Sequence, residues 1–323
     1  MRKSTKRYLK KRIKKQYKIK QHFVLRLIKI ILKKLNKNYY NNFIFNFYQI
    51  TKKDKFSLFL FFAIRFAFFL LFSSFLMIIG FIFTKGFNYI TPSLFEWNYN
   101  SNNISMMPSI INTLSLIFFS LLFAIPISIL GAVFLNEYQH KNNKIITIIE
   151  LAIETLAGIP SIVYGLFGYL AFVIYFKLGL SFISGILTLS IMVLPLLFKN
   201  AQEAIQAVPQ NLREAAFGLG AGKLRTIFAV VLPCASHGIL SGIILSIGKI
   251  VGESAALLYT AGNIAQVASL MNSGRTLSVH MYEIAREGLH INEAYATAMV
   301  LIILVFFINL LAHWFNQKIS QKI

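Results

Sequence analysis

The sequence predicts an all-α integral membrane protein with six transmembrane helices, and three observations carry that prediction. Of the 323 residues, 56% are hydrophobic and only 14% charged, too little charge to cover the surface of a soluble domain of this length. The apolar residues fall in runs long enough to cross a bilayer, which takes roughly 20 helical residues. Lys and Arg are distributed unequally between alternate connections, as topology requires.

The first span is expected at 56–83. Its one charge, Arg65, leaves 18 uninterrupted residues after it, so the side chain can snorkel to an interface. Further spans are expected at 109–135, 145–176, 181–198, 234–258 and 295–315. The third is 32 residues long, more than a straight crossing needs, and Gly158-Ile159-Pro160 inside it predicts a kink or break. Six spans place both termini on one side. If that side is the cytoplasm, the inner segments hold 27 Lys and Arg and the outer segments four, Lys85, Lys177, Arg275 and Arg286. Trp97 and Trp314 fall near the expected interfaces.

The domain organisation read from these patterns is a basic cytoplasmic tail at 1–55, a first transmembrane helix at 56–83, and a transmembrane domain at 109–316 with a long inner loop at 201–231. The tail holds 19 of the 33 Lys and Arg and a single acid, Asp54. Beside a hydrophobic segment, a basic block favours an anionic membrane surface over nucleic acid, and residues 21–34 are expected to lie as a basic amphipathic helix on the inner leaflet. No cleavable signal peptide is expected. One cysteine, Cys234, excludes an intramolecular disulfide, and no Cys/His spacing suggests a metal site.

The inner loop carries the most specific pattern. It reads Glu214-Ala215-Ala216, then Gly220, then Val230-Val231-Leu232-Pro233. Ala215 and Ala216 would let another surface approach the helix backbone. Gly220 can adopt the left-handed conformation that ends a helix, and Pro233 suits the first turn of a new one. A short rigid helix joined directly to a span can transmit a push. This spacing resembles the EAA motif of ABC importer permeases, with Val230 where the family has Ile. The resemblance implies a MetI-like permease core and a coupling helix that docks on a separate ATPase, with Glu214, Ala215, Ala216, Gly220, Leu232 and Pro233 as the coupling residues. The nearby Gly218-Leu-Gly-Ala-Gly-Lys223 is not a phosphate loop, because Phe217 stands where its first Gly is required and Leu224 replaces the Mg²⁺-binding hydroxyl. The chain is therefore expected to be no enzyme and to hold no cofactor of its own, with ATP and Mg²⁺ bound by the partner ATPase.

An anion pathway needs a positive group at depth. Lys249, expected well inside the fifth span, is costly there unless it functions or is paired. Spacing of i, i+4 would put Glu253 on the same helix face, to neutralise Lys249 until an anion competes. Around this pair, Gly252-Glu253-Ser254-Ala255-Ala256-Leu257-Leu258-Tyr259-Thr260-Ala261-Gly262 is similar to the PstA family of phosphate permeases. So are Trp97-Asn98-Tyr99, Ile111-Asn112-Thr113-Leu114, the run Leu156 to Gly168, Ser278-Val279-His280-Met281-Tyr282 and Ala294-Tyr295-Ala296-Thr297-Ala298. The resemblance extends from about Trp97 to the C-terminus and does not include the basic tail. It implies inorganic phosphate import, with a PstC-like second permease, PstB-like ATPase subunits, an external PstS-like binding protein, and Lys249 and Glu253 as pathway residues. The family usually has Arg at the place of Lys249. Lys keeps the charge without the planar fork that suits a tetrahedral oxyanion. Two alternatives stand beside this expectation: an importer of another oxyanion, molybdate or sulfate, and a basic membrane anchor or assembly factor. Arg286, flanked by Glu283 and Glu287, is expected in a local ion pair.

Overall fold

The computed structural model describes residues 55–138 and 144–320. The basic tail up to Asp54, with the amphipathic helix expected at 21–34, lies outside the described residues. Helix α1, Lys55–Phe87, follows, and the chain divides into two units after Ile78. In the first unit, residues 66–78 of α1 carry no charge and are apolar apart from Ser73 and Ser74. Phe59, Phe62, Phe66, Phe69, Leu71 and Phe75 are all exposed, as lipid-facing side chains are. Ser73, one of its few polar residues, donates its hydroxyl back to the Leu70 carbonyl at 3.0 Å, so its polar group is satisfied within the helix as hydrocarbon demands.

The second unit, from Ile79 onward, contains the remaining helices: α2 Met107–Val133, α3 Lys144–Ala157, α4 Ser161–Gly168, α5 Phe182–Gln206, α6 Gln210–Gly218, α7 Lys223–Thr226, α8 Leu232–Val251, α9 Ala255–Thr260, α10 Leu277–Glu287 and α11 Ile291–Ser320. Single wide π-helical turns extend α2 (Phe134–Tyr138) and α4 (Tyr169–Tyr175) and fuse α7 to α8 (Ile227–Val231). Among the described residues, five helical stretches are long and apolar enough to cross a membrane, and α3 with α4 makes a sixth, bent by 100°. The bend falls at the expected Gly158-Ile159-Pro160. Pro160 has no N–H to give to the α3 ladder, and the Tyr164 hydroxyl donates to the Leu156 carbonyl at 2.7 Å across the corner.

Helix α5 is the centre of the core. Phe182, Ile186, Leu189, Met192, Val193 and Leu197 are buried along it, and Leu116, Ile117, Leu121 and Ala124 of α2 pack into the same cluster. Small hydroxyl residues stitch the pair together: Ser190 donates to the Ser120 carbonyl at 3.1 Å and Ser128 to the Leu194 carbonyl at 3.2 Å. Small polar residues at a helix contact allow close approach and share hydrogen bonds across it, the usual economy of packing in lipid. The glycines of α4 serve the same end. A Cβ on Gly165 would lie 2.7 Å from the Ala256 Cα of α9, so α4 and α9 cross nearly backbone to backbone.

The first span runs four residues past its expected end, to Phe87, and the sixth starts four residues early, at Ile291; two others differ more. The fourth continues eight residues beyond 198, to Gln206, because amphipathic helix persists where the apolar run stops. The fifth begins at Lys223 and ends at Val251, shifted from 234–258. Gly252 caps α8, Glu253 and Ser254 leave helical geometry, and α9 starts afresh at Ala255. The apolar run thus covered two elements.

Candidate functional site

The connection between α5 and α7 forms a tight helical hairpin. Pro209 occupies the N-cap of α6, where a missing N–H costs nothing. Gly220 has φ +80°, and it stops α6 with its N–H on the Phe217 carbonyl at 2.9 Å, while Ala221 N–H reaches the Ala216 carbonyl at 3.0 Å. Three residues later α7 begins, so the turn passes directly into the fifth span. Glu214 and Ala215 are exposed on α6, and Leu212, Phe217, Leu219 and Leu224 add exposed apolar surface around them, Leu219 at 90%. Ala216 departs from expectation. It is buried, facing its own bundle, so only Ala215 of the pair is open to another surface. Pro233 stands in the first turn of α8, as expected, although the apolar helical stretch starts ten residues before it; Leu232 and Pro233, both half-buried, follow the π turn Ile227–Val231. That wide turn absorbs the hydrogen bond that Pro233 cannot make.

Sequence reasoning missed Arg213. Its guanidinium donates from Nε and Nη2 to Glu137 Oε1 at 3.0 and 2.9 Å, from Nη1 to the Val208 carbonyl at 2.6 Å and from Nη2 to the Ile205 carbonyl at 2.9 Å. The two side chains of the ion pair are only 11% and 10% exposed. A charged residue on a short polar helix reads as solvated, and its partner lies 76 positions away, so no local signal marks it.

The expected Lys249–Glu253 pair does not form. Because α8 ends at Val251, Glu253 leaves the helix face that i, i+4 spacing assigned it. Glu253 is 7% exposed and accepts the Ala256 N–H at 3.0 Å, while its backbone carbonyl accepts the Ser278 hydroxyl at 2.6 Å. Its visible role is to hold the α8–α9 break against α10. Lys249 is half-buried in the last turn of α8, two residues before the span ends at Val251 and so not well inside it as expected, and it forms no ion pair among the described residues.

The segment between α9 and α10 folds back onto the start of α2. Asn112, 1% exposed, donates to the Gln266 and Arg275 carbonyls at 2.8 and 3.0 Å and accepts the Ala268 N–H at 2.9 Å. Thr113 next to it accepts the Leu277 N–H at 2.9 Å. Arg275 is buried with its guanidinium 4.5 Å over the Tyr99 ring, and its Nε and Nη2 have no hydrogen-bond partner among the described residues. His280 is fully buried against the same ring. Burial first, and the Arg275 charge second, push its pKa down to about 3; the nearby Ile104 backbone opposes the shift only in part and leaves both ring nitrogens short of a full hydrogen bond. Arg286 pairs with Glu283 at 2.7 Å, as the sequence predicts.

Comparison with known proteins agrees with this arrangement. Residues 124–323 match the family described as binding-protein-dependent transport system inner membrane component. "Probable ABC transporter permease protein YqgI" of Bacillus subtilis is 36% identical over 230 residues, 66% of this chain and 78% of that protein. "Phosphate transport system permease protein PstA 2" of Mycobacterium bovis is 32% identical over 238 residues, 70% of this chain and 78% of that protein. The "Phosphate transport system permease protein PstA homolog" of Mycoplasma pneumoniae is 34% identical over 215 residues, and there the chain spans only 33% of its relative. Among solved structures, a bacterial ABC transporter involved in the import of alginate superposes with TM-score 0.61 at 19% identity, covering 85% of this chain and 99% of that one. The MetNI methionine ABC transporter gives 0.52 at 17% identity, over 66% and 94%. At such identities the superpositions speak for the fold, and the family match for descent. The chain belongs to the inner-membrane permease components of binding-protein-dependent ABC transporters, a multi-pass membrane family that is not enzymatic.

Proposed function

We propose that this chain is one permease subunit of an ATP-driven importer of inorganic phosphate. It forms half of the translocation pathway, and a separate ATPase supplies the energy. The observation that carries the coupling role is the hairpin at α6: a short exposed helix, ended by left-handed Gly220, that runs within three residues into a span. Its apolar tip offers a surface for a partner, and Glu214 lies on the exposed side. Phosphate as substrate is supported by the PstA-named relatives, at 32–34% identity. A PstC-like permease, two PstB-like ATPase subunits that bind ATP and Mg²⁺, and an external PstS-like binding protein would complete the assembly. The excess of Lys and Arg on one set of connections supports cytoplasmic termini and a cytoplasmic α6.

Lys249 keeps its place as a pathway residue for a reason the sequence did not supply. With Glu253 engaged at the α9 break, the ammonium has no carboxylate partner among the described residues to be displaced by an arriving anion. Two substitutions test the reading in the reconstituted complex. Glu214→Lys should insert and assemble but lose ATP-driven uptake, and normal uptake would refute docking through α6. Lys249→Gln should lower phosphate uptake at least about tenfold, since a hydrogen bond to a charged group is typically worth about 1.5–3 kcal/mol. Unchanged uptake would assign the anion contact to the second permease.

A further inference from the structure

The proposed role of α6 leaves open how its movement reaches the second span, to which it has no covalent connection. Three consecutive residues in the π turn that ends α2 each hold a different part of the α5–α7 hairpin. Asn136 accepts from Gln206 Nε2 of α5 at 2.9 Å. Glu137 accepts two bonds from Arg213 of α6. The Tyr138 ring lies 4.6 Å under the Lys223 ammonium of α7. In a regular α-helix, successive side chains fan out by about 100° and three neighbours do not converge on one hairpin. The wide turn alters that spacing where α2 meets the loop, and π turns of this kind recur at functional sites.

We propose that the π turn Phe134–Tyr138 is a second mechanical link of the permease, with Glu137 and Arg213 as its positioning pair. It would carry displacement of α6 to α2 in parallel with the peptide connection through Gly220 to α7. The inference rests on the coupling role proposed for α6. Arg213 suits the task because its planar fork engages Glu137 with Nε and Nη2 while Nη2 also reaches the Ile205 carbonyl at the end of α5 and Nη1 the Val208 carbonyl just beyond it. A lysine ammonium cannot bridge these three elements from one point. The pair is largely withdrawn from water, so separating it leaves an uncompensated buried charge, which is strongly unfavourable. Asn136 makes the anchorage double, since its Nδ2 is tied to the Ala132 carbonyl at 2.9 Å within α2.

The test compares Glu137→Gln and Arg213→Lys with wild type in the complete reconstituted complex. Phosphate transported per ATP hydrolysed is the readout, and co-purification of the subunits reports assembly. Glu137→Gln keeps size and an acceptor oxygen but removes the charge. The expected result is an assembled complex whose transport per ATP falls at least about fivefold, with the double substitution no worse than the more severe single one, because both break one link. An unchanged ratio, or loss of assembly in Glu137→Gln, would reduce the pair to a folding contact and overturn the proposal. Glu214→Lys separates the two levels: if it uncouples transport while Glu137→Gln does not, this inference fails alone, and if neither changes the ratio, the coupling role of α6 fails with it.

Discussion

Asn112→Leu should loosen the segment between α9 and α10 while leaving the spans packed. Asn112 sits on α2 at 1% exposure, and its side chain makes three hydrogen bonds to the folded-back chain, to the carbonyls of Gln266 and Arg275 and to the N–H of Ala268. Leucine fills a similar volume but can make none of them. Each such bond contributes about 1 kcal/mol net, so the three together hold the segment with about 3 kcal/mol. That corresponds to a roughly hundredfold rise in the fraction of time the segment is detached. Hydrogen–deuterium exchange of the solubilised complex reads this directly, since the Ala268 amide is itself one of the lost bonds. Peptides covering 262–276 should exchange about a hundredfold faster than in wild type, and peptides of α5 should not change. Ser73→Ala, which removes an exposed intrahelical bond in α1, is the neutral comparison. Exchange of 262–276 within about twofold of wild type would refute the reasoning and leave Thr113 and the Glu253–Ser278 contact as the real anchors.

Two further outcomes follow from the same structure. Gly165→Ala places a methyl group 2.7 Å from the Ala256 Cα and should cost about 1–3 kcal/mol, read as a lowered midpoint of thermal unfolding; Gly218→Ala, with nothing within 4 Å of its Cβ position, should be neutral, and equal midpoints for the two variants would contradict the close crossing of α4 and α9. Acid should destabilise the fold through His280: an unfolded chain takes up the imidazole proton near pH 6.5, whereas the site beside Arg275 and Tyr99 refuses it until about pH 3. Stability from this group is therefore complete above about pH 6.5 and is lost as pH falls from there toward 3, by about 2 kcal/mol at pH 5; melting curves at pH 7 and 5 should converge for His280→Gln, and an equal acid loss in that variant would point to other groups.

Much of the fold was legible because a bilayer makes long apolar runs diagnostic. Among the described residues, the six runs correspond to five long apolar helices and one bent pair, and the break at Gly158-Ile159-Pro160 appeared where proline chemistry requires one. Apolarity could not tell where one element ends and another begins inside a hydrophobic stretch. The run 234–258 therefore concealed the break at Gly252–Ser254, and the pairing of Lys249 with Glu253 was lost with it. The turn at Gly220 was readable, since a left-handed position between two helices favours glycine. The inward face of Ala216 was not, because alanine carries no mark of which side it occupies. Arg213 and Glu137 were invisible for another reason: the sequence places them 76 residues apart, and only the meeting of α2 with the α5–α7 hairpin turns two ordinary charges into a buried pair. Asn112 lay between the two cases. Its motif pointed to a family, but the loop that fills its hydrogen bonds is more than 150 residues further on.

The most direct measurement is ATP-driven accumulation of labelled phosphate in vesicles containing the complete complex, with excess unlabelled phosphate, sulfate or molybdate as competitor. The predicted result is accumulation that requires ATP and is suppressed by unlabelled phosphate alone. Competition by sulfate or molybdate as effective as that of phosphate would contradict the assignment of phosphate, and no accumulation with ATP present would contradict the importer itself.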